Sequence, residues 1–199
     1  MMPRDLPVDF TTPLIPPSLS HHAITLEKWS AQNSKYYKMA VGALVFRLSP
    51  TNTSQVLLLK RADTDSYPGV WEPPGGSVDP EDKTLLDAVV REVWEETGLR
   101  VKGFGAQVWH KIYTKGDEIM EVEFLGRTGE KWCKLNFLVD VFAGDEVRID
   151  LEEHQDCGWF ERAEFEKLLF VSEQGRNIIR NGFTAFQEAE KEKAQSRSI

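Results

Sequence analysis

Glu92, Glu95 and Glu96 stand at i, i+3 and i+4 in the stretch Arg91-Glu92-Val93-Trp94-Glu95-Glu96-Thr97-Gly98-Leu99. On a helix that spacing stacks three carboxylates on one face, a turn apart. Like charges at i,i+4 destabilise a helix, and a hard cation relieves that repulsion. Mg²⁺ and Mn²⁺ take oxygen ligands, commonly a few carboxylates together with the phosphates of a substrate. The chemistry on offer is therefore cation binding, with a phosphate as a further donor. A solvated charged face is the commoner use of such a triplet, so the neighbouring residues decide.

A helix must carry the triplet, and its other face is legible. Leu85, Leu86, Val89, Val90 and Val93 form an apolar stripe of helical period that goes to a core. Gly98 suits a left-handed C-terminal stop. Asp79 before Pro80 predicts the N-cap and first helical position, with the helix running to about Glu96. Trp94 is placed at the core edge. Upstream, Trp71-Glu72-Pro73-Pro74 leads into Gly75-Gly76, where the missing Cβ lets backbone approach a ligand closely.

With this company the stretch resembles the Nudix hydrolase family, whose box reads G-x5-E-x7-R-E-U-x-E-E-x-G-U, U being a bulky aliphatic residue. Gly76, Arg91, Glu92, Val93, Glu95, Glu96, Gly98 and Leu99 match it. The interval from Gly76 to Arg91 is one residue longer than the pattern, and Lys83 takes the first glutamate's place. Glu81 and Asp82 are near enough to stand in if the loop bulges. The resemblance extends from about Ala40 to about Phe170.

What the resemblance implies is specific. The fold is an α/β/α sandwich, with a mixed central β-sheet between the box helix and a C-terminal helix. The domain spans 36–195, after a proline-rich leader at 1–35. Glu92, Glu95 and Glu96 hold Mg²⁺ (or Mn²⁺), helped by a carbonyl of the Gly75-Gly76 turn. Arg91 orients the glutamates. Glu92 or Glu153 takes the proton from water, with Glu153 preferred to Glu152 in the loop Leu151 to Phe160. Arg61, ending the second strand, is a phosphate or base contact or else a solvated strand-end charge; Glu72 is placed with it at the substrate.

The implied activity is divalent-metal-dependent hydrolysis of a diphosphate bond in a nucleoside diphosphate linked to another group. The alternative is a Nudix-like module without catalysis that binds nucleotides or proteins; the intact glutamates count against it. A Nudix-type isomerase of isoprenyl diphosphates uses a cysteine before the box, whereas Cys133 and Cys157 follow it. Ser66 stands where coenzyme A hydrolases of the family carry an arginine. Residues 112–117 lack the proline frequent in ADP-ribose hydrolases. The stretches Ala40-Val41-Gly42, Lys60-Arg61-Ala62 and Gly75-Gly76 resemble the branch that cleaves nucleoside triphosphates.

Composition frames these expectations. The chain of 199 residues is 41% hydrophobic and 28% charged, as for a soluble globular protein. A net charge of -8 and a pI near 5.1 argue against a nucleic-acid polymer as partner. They leave a small nucleotide open, because a bound metal reverses the local sign. Two cysteines without C-x-x-C spacing read as packed thiols in a reducing, cytoplasmic compartment. No apolar run reaches membrane-span length, so no membrane partner is expected.

Along the chain, Pro3, Pro7, Pro13, Pro16 and Pro17 exclude a long helix in the leader. The leader is left either on its own domain or on a second copy, as in a homodimer. His21 and His22 read as structural or solvated, and Ile24 to Asn33 as a short amphipathic turn. Met39 to Phe46 and Gln55 to Arg61 read as strands covered on both faces. Gly105 to Tyr113, Glu118 to Leu125 and Trp132 to Phe142 read as further strands, with a hairpin turn over residues 126–130. Alternation of Leu135, Phe137, Val139 and Val141 with Lys134, Asn136, Leu138 and Asp140 predicts a partly polar face. Helices are expected at Glu161 to Phe170 and from Ser172 to about Ala194.

Overall fold

The computed structural model describes residues 11–114, 117–121, 123–126 and 128–196. A short 3₁₀ turn (Pro17–His22) and α1 (Leu26–Gln32) precede β1 (Lys38–Leu48) and β2 (Ser54–Arg61). Next come β3 (Trp71–Glu72), α2 (Leu85–Thr97), β4 (Val101–Val108), β5 (His110–Thr114), β6 (Asp117–Glu121), β7 (Glu123–Leu125) and β8 (Lys131–Val141). β9 (His154–Glu161), α3 (Arg162–Phe165) and α4 (Glu173–Ser196) follow.

The apolar runs of β1 and β2 become central strands. β1 runs parallel to β8, from Lys38↔Trp132 to Val45↔Val139, and antiparallel to β2 at Phe46↔Val56. β2 pairs with β9 along its length and with β3 at its end. β4 and β7 both pair with β8, giving a mixed seven-stranded sheet; β5 and β6 form a separate hairpin.

Alternate side chains of the central strands go to two helical layers. Met39, Val41, Val45, Leu57 and Leu59 meet the predicted stripe of α2, in which Leu85, Leu86, Val89, Val90 and Val93 are all buried. Leu44, Phe46, Val56 and Leu58 meet Ile179 and Phe183 of α4, together with Phe165. At about 1.5–3 kcal/mol for each large apolar side chain buried, these two layers hold the sandwich together. The architecture is thus the expected α/β/α one.

Two local features position the site. Residues 74–78 are laid along β1: Val41 N donates to Gly76 O, Ala43 N to Pro74 O and Val78 N to Met39 O. α2 is capped at both ends. Thr84 Oγ accepts from Asp87 N, and Gly98, at φ 66°, donates its N–H to Trp94 O.

Several expectations are corrected. Asp79 is not the N-cap of α2, and the helix begins five residues after Pro80 would have placed its first turn. Asp79 to Asp82 instead make a turn in which Asp82 N donates to Asp79 O and the Asp82 carboxylate accepts from Asp79 N. The turn does not continue into helix, and it brings the Asp82 carboxylate to Arg91. The polar face expected of part of β8 is confined to Lys134, half-buried, and Asp140, exposed, whereas Asn136 and Leu138 between them are buried. Leu138 lies under α4, and Asn136 Oδ1 fills the space above Gly42, 2.4 Å from where a Cβ would be. The strand expected at Gly105 to Tyr113 divides into β4 and β5. The one at Glu118 to Leu125 divides into β6 and β7, of which only β7 pairs with β8. The expected helix after Glu161 is only the four residues of α3, opened by a Glu161/Glu164 capping box.

The described part of the leader lies on its own domain. Leu14 pairs with Gly103 at the β4 edge, and Leu19, His22 and Trp29 are buried. Ile24 O accepts from Leu85 N, the first amide of α2. His22 is structural, its Nε2 lying 2.8 Å from Gln107 Oε1. Cys133 and Cys157 are free thiols, Cys133 buried. Pro3 and Pro7 of the leader and Arg127 of the 126–130 turn lie outside the described residues. No helix among the described residues is long and apolar enough to cross a membrane.

Candidate active site

The polar face of α2 looks into a cleft of about 270 Å³. Arg91 organises that face. Its Nε and Nη2 donate to the two oxygens of Asp82, each at 2.9 Å, a fork-to-fork pair. Nη1 donates to Glu92 Oε1 (2.8 Å) and Glu95 Oε2 (3.0 Å), and Nη2 also to Ser77 O (2.9 Å). One guanidinium therefore ties the loop before α2 to two of its carboxylates. Of the two acids near the first glutamate's place, Asp82 reaches Arg91, while Glu81 is exposed. Lys83 points to solvent.

The two glycines are required by close approach. A Cβ on Gly76 would stand 2.8 Å from Glu92 Oε1, and one on Gly75 would stand 2.3 Å from Val41 O. Gly75 also has a φ of 147°, a region that L side chains rarely adopt. Its N–H donates to Glu96 Oε2 at 2.7 Å, so the turn and the helix meet at that carboxylate.

Burial sets the electrostatics. Burial pushes the Glu92 carboxyl up to about 7, with Arg91 pulling the other way. Glu96 is raised well above the usual carboxylate range, by burial first and then by the neighbouring Glu92; the Gly75 N–H opposes this. For both acids burial is the first cause, the neighbouring carboxylates add to it, and Arg91 offsets it only in part at Glu92.

The opposite wall comes from β2, β3 and the loop before β9. Arg61 Nη1 donates to Glu72 Oε1, Nη2 to Asp65 Oδ2 and Nε to Ser66 O. Against the penalty of burial, His154, Lys134 and Arg61 hold Glu72 below the usual range. Ala62 N donates to Glu153 O and Gln155 Nε2 to Arg61 O, which pins the β9 loop to the end of β2.

Every residue assigned to the site in sequence lines this one cleft: Arg61, Glu72, Gly75, Gly76, Arg91, Glu92, Glu95, Glu96 and Glu153. Glu152, the second choice in the β9 loop, is exposed and does not line it. Asn136 is buried in the sheet instead. Gly76 O is already bonded to Val41 N, so Gly75 is the better carbonyl donor of the pair. Asp65, Asp79 and His154 also line the cleft, and sequence reasoning missed them. His154 adjoins Glu153, but nothing in its neighbours signals that it is buried. Ligand atoms of Glu96, Glu153 and His154 all lie within 4.8 Å of one another.

Comparisons with known proteins bear on the family and the fold. A family model described as the NUDIX domain matches residues 37–181. Nucleoside triphosphatase NudI of Escherichia fergusonii is 32% identical over 112 residues, covering 54% of this chain and 74% of that protein. The m7GpppN-mRNA hydrolase NUDT17 of Bos taurus is 51% identical over 47 residues, 23% of this chain and 15% of that protein. The match to NUDT17 proteins thus spans only a small part of their length. The crystal structure of a MutT protein from Methanosarcina mazei Go1 superposes with a TM-score of 0.55 at 25% identity, covering 74% of this chain and 93% of that one.

Proposed function

The chain belongs to the NUDIX domain family, and from that premise we propose that it is a divalent-metal-dependent pyrophosphohydrolase. Its substrate is a small nucleotide, a nucleoside diphosphate linked to another group. One observation carries this reading: Glu92 and Glu96 are buried, face a common cleft with Glu95 and Glu153, and so gather more carboxylates there than Arg91 offsets. A divalent cation fits that donor set, because it supplies the missing charge and accepts the carboxylate oxygens.

When bound, Mg²⁺ or Mn²⁺ would neutralise phosphate oxygens and lower the pKa of a water. The chain does the rest. Arg91 fixes the rotamers of Glu92 and Glu95 and is itself fixed by Asp82 and the Ser77 carbonyl. Gly75, whose N–H holds Glu96, is the residue of the turn that would offer a carbonyl to the ion. Glu92 or Glu153, both lining the cleft, accepts the proton of the attacking water. Arg61 and Glu72 shape the wall against which the nucleotide lies. The leaving group departs as a phosphate anion, so the water's attack breaks one P–O bond of the bridge.

The relatives' names supply the first substrates to test. A nucleoside triphosphate and an m7GpppN cap dinucleotide both contain a nucleoside diphosphate linked to a further group. The free cysteines suit a reducing, cytoplasmic setting. The deciding assay is phosphate or nucleoside monophosphate release from a nucleotide panel with Mg²⁺ or Mn²⁺. Release that stops in excess EDTA is expected. Undiminished turnover in EDTA, or no release from any substrate, would overturn the reading in favour of a binding module.

A further inference from the structure

One end of the cleft holds a group that the carboxylate helix does not account for. His154 is 2% exposed, yet it lines the cleft. Its Nε2 stands 3.8 Å from both Glu72 Oε1 and Glu96 Oε1, beyond hydrogen-bond length. Its Nδ1 has no hydrogen-bond partner among the described residues. Leaving a buried polar group unbonded costs about 1–3 kcal/mol, and it is Nε2, facing Glu96 across 3.8 Å without a hydrogen bond, that calls for a ligand in the cleft.

We infer that His154 is a nitrogen ligand in a cation site shared with Glu96 and Glu153, and that this site favours first-row transition ions over Mg²⁺. The inference rests on the metal-dependent reading above and goes beyond it in naming a ligand and a preference. Donor atoms within 4.8 Å of one another already lie near the spacing of a coordination shell. Neighbouring donors around an ion at about 2.1 Å are roughly 3 Å apart, so a small inward shift of the exposed Glu153 side chain completes the set. The Glu153 backbone is tied to Ala62, which keeps the residue beside Glu96 while its carboxylate moves. Mg²⁺ demands oxygen ligands and dehydrates reluctantly, whereas first-row transition ions accept imidazole. Glu72 Oε1 faces the same Nε2 at 3.8 Å, so the nitrogen points into the acidic end of the cleft.

The test uses Mn²⁺ with the full chain, read by electron spin-echo envelope modulation. Wild type should show ¹⁴N modulation on the bound ion. His154→Gln, which keeps the volume but offers oxygen, should lose it. His154→Ala should bind Mn²⁺ about tenfold more weakly, with Mg²⁺ affinity changed less than about twofold. Wild type labelled with [¹⁵N]histidine needs no substitution and should replace the ¹⁴N pattern by a ¹⁵N one. Bound Mn²⁺ without nitrogen modulation, or modulation that persists in His154→Gln, overturns the histidine ligand and leaves the carboxylate site standing. No Mn²⁺ bound at any concentration removes both this inference and the metal-dependent reading beneath it.

Discussion

At the scale of residues, the cleft is a set of carboxylates kept in order by one guanidinium. Glu95→Gln and Glu96→Gln should each lower kcat by about 10² or more, the cost of losing one strong electrostatic contact at a transition state. Both variants should fold, because the amide keeps the shape and removes only charge; kcat near that of wild type in either one would mean that the face is merely solvated. The protons on these acids give a second expectation. The folded-state pKa of Glu92 is raised to about 7, from an ordinary value of 4.5. Its contribution to stability is therefore fully present below the unfolded pKa and is lost as pH rises through the folded one. In EDTA, Tm should fall between pH 5 and pH 8. Mg²⁺ or Mn²⁺ should restore it, and more strongly at pH 8, because the ion takes the place of the proton. Melting curves at the two pH values, with and without metal, check both signs.

At the scale of elements, the box helix is held from outside the matched domain. Ile24 O takes the first amide of α2, and Trp29 and Leu19 are buried in the same core as Leu85. Trp29→Ala should cost about 3–5 kcal/mol, as for other large aromatic truncations in cores. Thr84→Ala should cost about 1 kcal/mol through loss of the cap. Urea unfolding of the full chain measures both; a change under about 0.5 kcal/mol for Trp29→Ala would show that the leader only rests on the domain.

Much of this element-scale picture was legible in sequence. The stripe from Leu85 to Val93, the apolar runs of β1 and β2 and the stop at Gly98 are local patterns, and each reached its expected place. What failed depended on distant partners. Asp79 lost the cap because Asp82 turns back to reach Arg91, nine positions on. Asn136 looked like a polar strand face, but the parallel pairing of β8 with β1 sets it over Gly42, where it is buried. His154 carries no local mark, since its surroundings come from β3 and α2. The acidic face of α2 was readable because its members share one helix turn; of the opposite wall Arg61, Glu72 and Glu153 were placed, but Asp65 and His154 were missed because three separate segments build it.

At the scale of the whole molecule, charge decides which phosphates can approach. The chain carries a net charge of -8, and the cleft adds acidic walls on both sides. A metal-loaded pocket neutralises one diphosphate, whereas a polymer must lie against the acidic surface around it as well. We therefore expect hydrolysis of small nucleotides without tight binding of single-stranded RNA. Arg61, proposed above to face the nucleotide, is paired with Glu72 and Asp65. Removing it leaves two acids facing the nucleotide, so Arg61→Ala should raise KM by roughly tenfold with a smaller effect on kcat, as when an interaction common to ground and transition states is lost. Steady-state kinetics on the best substrate of the panel separates the two constants. An equal loss in kcat and kcat/KM would instead place Arg61 at the reacting phosphate. Sub-micromolar binding of single-stranded RNA at about 0.15 M salt would mean that the molecule's overall charge does not govern its choice of partner.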